Sequence, residues 1–192
     1  MKRVFALLCS LVFLAGVPCG CAMQTQAAKE PIKKAGSPIV VGFSQVGAES
    51  EWRVANSESM KSALSEQNGY ELIFDDARNE QENQIRAIRT FIQQDVDYIV
   101  FSPRVETGWN SILQEARDAE IPVLVIDRDI EVIDRSLYTA YIGSDFRKEG
   151  DRAVAWLENL LRKQGKSEDE IRIVHIQGTI GSSAQIGRTA AL

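Results

Sequence analysis

Apolar positions along the chain fall into short runs, separated by stretches in which they recur every three to four residues. Ile39-Val40-Val41-Gly42-Phe43 is a continuous, largely β-branched run, the pattern of a strand buried on both faces. From about Glu51 to Gln67, Trp52, Ala55, Ser59/Met60 and Ala63/Leu64 follow the spacing of one helix face, and Asn68-Gly69 stops the helix. Tyr70 to Phe74 predicts a second strand. Ile85, Ile88 and Ile92 stripe a second helix. Tyr98 to Phe101 predicts a third strand, stopped by Pro103. Trp109, Ile112/Leu113 and Ala116 mark a third helix, Pro122 to Ile126 a fourth strand, and Leu137 to Ile142 a fifth. Strands alternating with helices of this length predict βαβ units. The fold class is therefore α/β, a doubly wound parallel sheet whose right-handed crossovers place helices on both faces.

A second, shorter series follows. Ala153, Val154, Leu157, Leu160 and Leu161 form a helical stripe, Ile171 to Ile176 reads as a strand, and Gly178 to Ser183 as a turn into one more helix. One strand and one helix cannot cover both faces of a new sheet. The expected organisation is a lobe over 38–143, then a crossing and the start of an incomplete second α/β lobe over 144–192.

The segment ahead of the body has a different pattern. Met1-Lys2-Arg3 is basic, and Val4 to Val17 is uncharged and apolar. That run is short of the roughly 20 residues needed to span a bilayer and fits the apolar part of an export signal, placed at 1–22. All three cysteines, Cys9, Cys19 and Cys21, lie in or beside it, so no disulfide is expected inside the fold. Pro18-Cys19-Gly20-Cys21 resembles a bacterial lipobox, which implies lipidation at Cys21 and a membrane anchor. Residues 23–37 are polar and aperiodic and read as a flexible tether.

Composition changes this picture only by exclusion. The 192 residues are 44% apolar and 26% charged, which excludes a disordered chain. The net charge of −5 argues against a nucleic-acid partner, whose phosphates demand surplus Lys and Arg. The single histidine, His175, leaves little room for a metal centre or a Ser-His-Asp triad; flanked by Val174 and Ile176, it reads as structural. GxGxxG, GxxxxGK[ST] and GxSxG are all missing. Gly178 to Ser183 could seat a phosphate at a helix start but lacks the lysine. The expectation is a protein that is not an enzyme, with no cofactor and no metal.

Candidate chemistry collects where open parallel sheets bind ligands, beyond the carboxyl ends of the strands. Ser44 to Arg53 follows the first strand, Ser102-Pro103-Arg104 the third, and Asp127-Arg128-Asp129 the fourth. Arginine forks and paired carboxylate acceptors suit vicinal sugar hydroxyls, which both donate and accept, and an aromatic ring covers the C–H face of a sugar. Each residue also has a plainer reading. Asp127-Arg128 could be a surface ion pair, Trp52 a core residue, and Glu49 an acid placed by the helix dipole. Arg53 opposes that dipole. Trp109 reads as core, and Tyr138 and Tyr141 as strand packing.

At these residues the chain resembles the periplasmic sugar-binding proteins of the ribose/galactose type, the type I periplasmic-binding-protein fold, with its nearest likeness to the galactofuranose-binding branch. The likeness covers about residues 38–192. It is carried by Val41-Gly42-Phe43-Ser44-Gln45-Val46-Gly47, Glu49 to Arg53, Gln81-Glu82-Asn83-Gln84-Ile85, Thr107-Gly108-Trp109, Asp118 to Val123 with Asp127-Arg128, and Gln177 to Gly181 with Arg188. The resemblance implies an extracytoplasmic solute-binding component of a sugar ABC importer, partnered by a permease, in which two lobes close on a monosaccharide. It implies that Glu49, Trp52 and Arg53 contact the sugar from the first loop, that Asp127-Arg128 clamps its hydroxyls, that Arg188 reaches it from the second lobe, and that Gly143-Ser144-Asp145 begins the crossing. A sensor that presents the bound sugar to a chemoreceptor or histidine kinase is the alternative. A sugar-sensing repressor is disfavoured by the leader, which stands where such proteins carry a DNA-binding helix-turn-helix. The family's second lobe continues beyond the equivalent of Leu192, so the chain as written is expected to be truncated, to hold half a cleft, to bind sugar weakly, and to expose apolar surface prone to aggregation.

Overall fold

A computed structural model describes residues 36–166 and 171–192; the leader, Cys21, the tether up to residue 35 and residues 167–170 lie outside the described residues. Five parallel strands form one sheet: β1 (Ile39–Gln45), β2 (Tyr70–Asp76), β3 (Tyr98–Phe101), β4 (Val123–Asp127) and β5 (Ala140–Gly143), in the order β2-β1-β3-β4-β5. Register is continuous across the centre, with Phe43 beside Phe74 and Val100, and Val100 beside Leu124. The helices α1 (Glu51–Ala63), α2 (Gln81–Gln93) and α3 (Asn110–Asp118) make the crossovers. The α/β sheet expected from the sequence is thus present.

The two faces of the sheet are packed differently. Against α2 and α3 lies the larger core, with Ile88, Phe91, Ile99, Phe101, Trp109, Ile112, Leu113, Val123 and Val125 all buried. Trp109 is fully enclosed, its ring 4.8 Å from that of Phe101, and its indole N–H donates to the Val105 carbonyl at 2.8 Å. That resolves its reading as core. Gly42 is needed on this face, because a Cβ there would overlap the Phe91 ring. Toward α1 the buried set is Val41, Phe43 and Val100, with Met60, Leu64, Leu124 and Ile126 only half-buried.

Four expectations are corrected. In α1 the buried positions are Arg53 and Ser57; of the expected stripe, Met60 and Leu64 pack half-buried against the sheet, while Trp52, Ala55, Ser59 and Ala63 face solvent. The inward face is shifted by one residue, because the polar contacts of Arg53 turn it toward the sheet. The helix also ends earlier, at Ala63, and a 3₁₀ turn (Glu66–Asn68) leads to Gly69 at φ 84°. The fifth strand begins at Ala140, because Asp134 accepts from the backbone N–H of Ser136 and winds Arg135–Leu137 into a 3₁₀ turn. Ile171 to Ile176 forms no strand. Strand backbone needs a ladder partner, and no described strand lies beside it. His175 is exposed there rather than held in a sheet.

Beyond β5, α4 (Phe146–Lys163) and α5 (Ser183–Thr189) pack closely. Gly187 and Gly150 allow it: a Cβ on Gly187 would come within 2.9 Å of Phe146 Cβ, and one on Gly150 within 2.7 Å of Ala191 Cβ. None of the helices among the described residues is long and apolar enough to cross a membrane.

Candidate functional site

Three strand ends build the site. After β1, Ser50 caps α1 by accepting from the Arg53 N–H at 3.3 Å, which fixes the helix start and so the directions of Glu49, Trp52 and Arg53. Arg53 points inward and is only 4% exposed. Its guanidinium meets Asp127 Oδ2 at 2.7 Å and Glu49 Oε1 at 3.3 Å, and donates to Ser102 Oγ at 2.9 Å. A buried cation needs such partners, since its desolvation is costly. Ser102 Oγ in turn donates to Asp127 Oδ2 at 3.3 Å.

At the end of β4, Asp127 has φ 63°, a conformation costly for a residue other than glycine and common at functional sites. Tyr141 holds it there, its hydroxyl donating toward the carbonyls of Asp127 and Ser144, both at 3.0 Å. Burial first, then the carboxylates of Asp129 and Asp127, push the Tyr141 phenol up to about 12. Tyr141 therefore does more than pack. The turn swings Arg128 back over the cluster. Arg128 Nη2 lies 3.9 Å from Glu49 Oε1 and its Nε 4.0 Å from Asp127 Oδ2, while Nη1 donates to the Arg104 carbonyl at 3.1 Å. Desolvation, and then the neighbouring Arg53, lower the basicity of Arg128.

Trp52 is 54% exposed at the same rim, with the Arg53 guanidinium 4.9 Å from its ring centre. It is not a core residue. Five of the six candidate residues thus converge: Glu49, Trp52, Arg53, Asp127 and Arg128. Arg188 is engaged elsewhere. Its guanidinium meets Glu149 at 2.7 Å and lies 4.9 Å from the Phe146 ring centre, and the hydrogen bond from Arg188 holds the Glu149 carboxyl below its ordinary range. Arg188 and Arg128 do line one pocket of about 130 Å³ together with His175, Thr179 and Gln185, and Arg128 Nη2 reaches Thr179 Oγ1 at 3.5 Å.

Two supports were not assigned from the sequence. Ser102 is recognisable there only as a rim residue. Gln84 is fully buried; its Nε2 donates to the Ser102 carbonyl at 2.7 Å and its Oε1 accepts from the Arg104 N–H at 2.9 Å. The available signal was its position. Gln84, Ala87, Ile88 and Phe91 are the buried face of α2, so Gln84 is a polar residue on an apolar stripe. No cluster of three His, Cys, Asp or Glu side chains among the described residues could hold a metal ion. Chemically, the arrangement offers hydroxyl-binding acceptors, guanidinium donors and an exposed ring, and it presents no activated nucleophile.

An open parallel sheet with such a rim defines a ligand-binding α/β lobe. The periplasmic binding protein domain family matches residues 41–192, and the chain belongs to that family. The galactofuranose-binding protein YtfQ of Escherichia coli K12 is 45% identical over 152 residues, 79% of this chain and 46% of its own length. A Mycobacterium smegmatis protein solved with β-D-fucofuranose is 47% identical with TM-score 0.74, covering 80% of this chain and 49% of that one. The binding component of the arabinose ABC transporter of Shewanella sp. ANA-3, solved with α- and β-L-arabinofuranose, is 47% identical with TM-score 0.71, covering 79% and 48%. The chain spans about half the length of the curated relatives it matches. These relatives bind sugars and belong to an extracytoplasmic family.

Proposed function

We propose that this chain is the extracytoplasmic solute-binding component of a sugar ABC importer, and that its ligand is a monosaccharide in furanose form. The observation that carries the reading is the Glu49–Arg53–Asp127–Arg128 ion network at the strand ends, with Trp52 exposed beside it. Asp127 and Glu49 accept from hydroxyls, Arg128 donates, and Trp52 covers an apolar sugar face. Arg53 acts mainly from beneath, because its burial leaves little of it to touch a ligand. Arg188 joins from α5 when Glu149 releases it. Residues 38–143 form the first lobe and 144–192 lead into the second. Residues 1–22 direct export, 23–37 tether the domain, and Cys21 carries the lipid that anchors it. The furanose ligands of the two solved relatives support the choice of sugar form.

Tryptophan fluorescence of the protein purified from its source envelope, titrated with L-arabinose and D-galactose, tests the reading. A saturable change that Trp52→Phe abolishes is expected. A folded protein with no response to either sugar would contradict it. Co-purification with a permease, rather than a histidine kinase, is the result expected for the importer role.

A further inference from the structure

One arginine at the site, Arg104, has no carboxylate partner among the described residues. Arg104 leaves the end of β3 with its backbone pinned on both sides, its N–H to Gln84 Oε1 at 2.9 Å and its carbonyl to Arg128 Nη1 at 3.1 Å. Its side chain is half-buried and its Nε has no hydrogen-bond partner. Among the described residues no carboxylate lies within ion-pairing distance of it, whereas Arg53 and Arg128 share Glu49 and Asp127 between them. Two cations and two anions already balance there, so Arg104 is surplus positive charge. It also stands close enough to Arg128 to lower that residue's basicity.

The surroundings segregate charge in the same sense. The 130 Å³ pocket lined by Arg128 and Arg188, whose wall does not include Arg104, has no acidic residue in it. The nearby acids Glu106, Asp129 and Glu131 line a different cavity of about 270 Å³, where Arg135 meets Asp129 at 3.5 Å. Burial first, and then Glu131 and Asp129, raise the Glu106 carboxyl, so these acids crowd one another rather than answering Arg104. A half-buried guanidinium beside like charges and without a counter-ion is an electrostatic cost that an anionic ligand group relieves.

We propose that Arg104 is a ligand-contacting residue that makes this site favour a sugar bearing a carboxylate over its neutral counterpart; the proposal rests on the site being a sugar site. The sugar hydroxyls meet Asp127, Glu49 and Arg128, and the carboxylate pairs with the half-buried Arg104 guanidinium through a charge-assisted contact. Since the backbone of Arg104 makes the structural bonds, its side chain can be changed without unpinning the loop.

Calorimetric titration of the purified protein and of Arg104→Gln and Arg104→Lys, with D-galacturonate and D-galactose as probes, tests this. The wild type is expected to bind galacturonate about tenfold more tightly, with the preference shrinking as salt is raised. Arg104→Gln is expected to lose the preference, its galacturonate affinity falling about tenfold relative to its galactose affinity, while melting at the wild-type temperature. Arg104→Lys is expected to retain part of it. Equal binding of both sugars by the wild type, or a preference that survives in Arg104→Gln, overturns the proposal and leaves the sugar site standing. Binding of neither sugar overturns both.

Discussion

The two sides of the sheet use the same crossover geometry for different ends. The α2–α3 side buries Ile88, Phe91, Trp109, Ile112 and Leu113, and its helices turn apolar stripes inward. The α1 side turns Arg53 and Ser57 inward instead, with Trp52 left outside. One face supplies stability through apolar burial. The other places polar groups inward, and they reach the strand ends, the place where open parallel sheets bind ligands. Gln84 joins the two, since it stands at the rim end of the apolar stripe of α2 and holds the backbone of Ser102 and Arg104. The apolar face thus serves as the rigid base from which the polar rim is aimed.

The largest effects separate Trp109 from Trp52, two of the three tryptophans. Trp109→Ala empties a fully enclosed volume and is expected to cost about 3–5 kcal/mol in urea unfolding. Trp52→Ala is expected to stay within about 0.5 kcal/mol of wild type, with its effect confined to sugar titration. Comparable losses of stability for the two would contradict the division of labour. Next in size, Asp127→Ala strips Arg53 of its shortest ion pair and is expected to lower stability by about 2 kcal/mol or more, because a buried cation is left poorly compensated. Asp127→Asn, which keeps an acceptor, should fall between. Denaturant melts of the three proteins decide the order.

The titration of Tyr141 gives a smaller effect. The Tyr141 phenol is pushed up to about 12 in the folded protein, above its ordinary value near 10. The unfolded chain therefore releases that proton first as pH rises. The contribution of Tyr141 is complete below about pH 10 and is lost between there and about pH 12. Tyr141→Phe should flatten that part of the stability profile, measured by denaturant midpoint against pH. Smallest of all, Glu149→Gln removes a partly exposed pair with Arg188 and is expected to shift stability by about 0.5 kcal/mol, with thermal melting as the check.

Much of this was readable from sequence because the strands are short β-branched runs at regular spacing, and Ile39 to Phe43 or Tyr98 to Phe101 fit little else. Trp109 was readable for the same reason, since it sits in phase with Ile112, Leu113 and Ala116. Helix α1 was harder. Periodicity looks for apolar stripes, and the inward face of α1 is apolar only in its second half, at Met60 and Leu64, after Arg53 and Ser57, so Trp52 drew the start of the stripe one position away. Ile171 to Ile176 has the composition of a strand, but a strand also requires a neighbour that composition does not report. The convergence of Glu49, Arg53, Asp127 and Arg128 was legible from their common place at strand ends. The brace from Gln84 through Ser102 was not, because it depends on residues 18 apart meeting where β3, the central strand, ends.

A crystal structure of the protein grown with L-arabinose tests the proposed sugar site most directly. The expected result is a furanose ring against Trp52, with hydroxyls on Asp127 and Arg128 and Arg53 still paired beneath them. A sugar bound away from these strand ends, with Trp52 untouched, would contradict it.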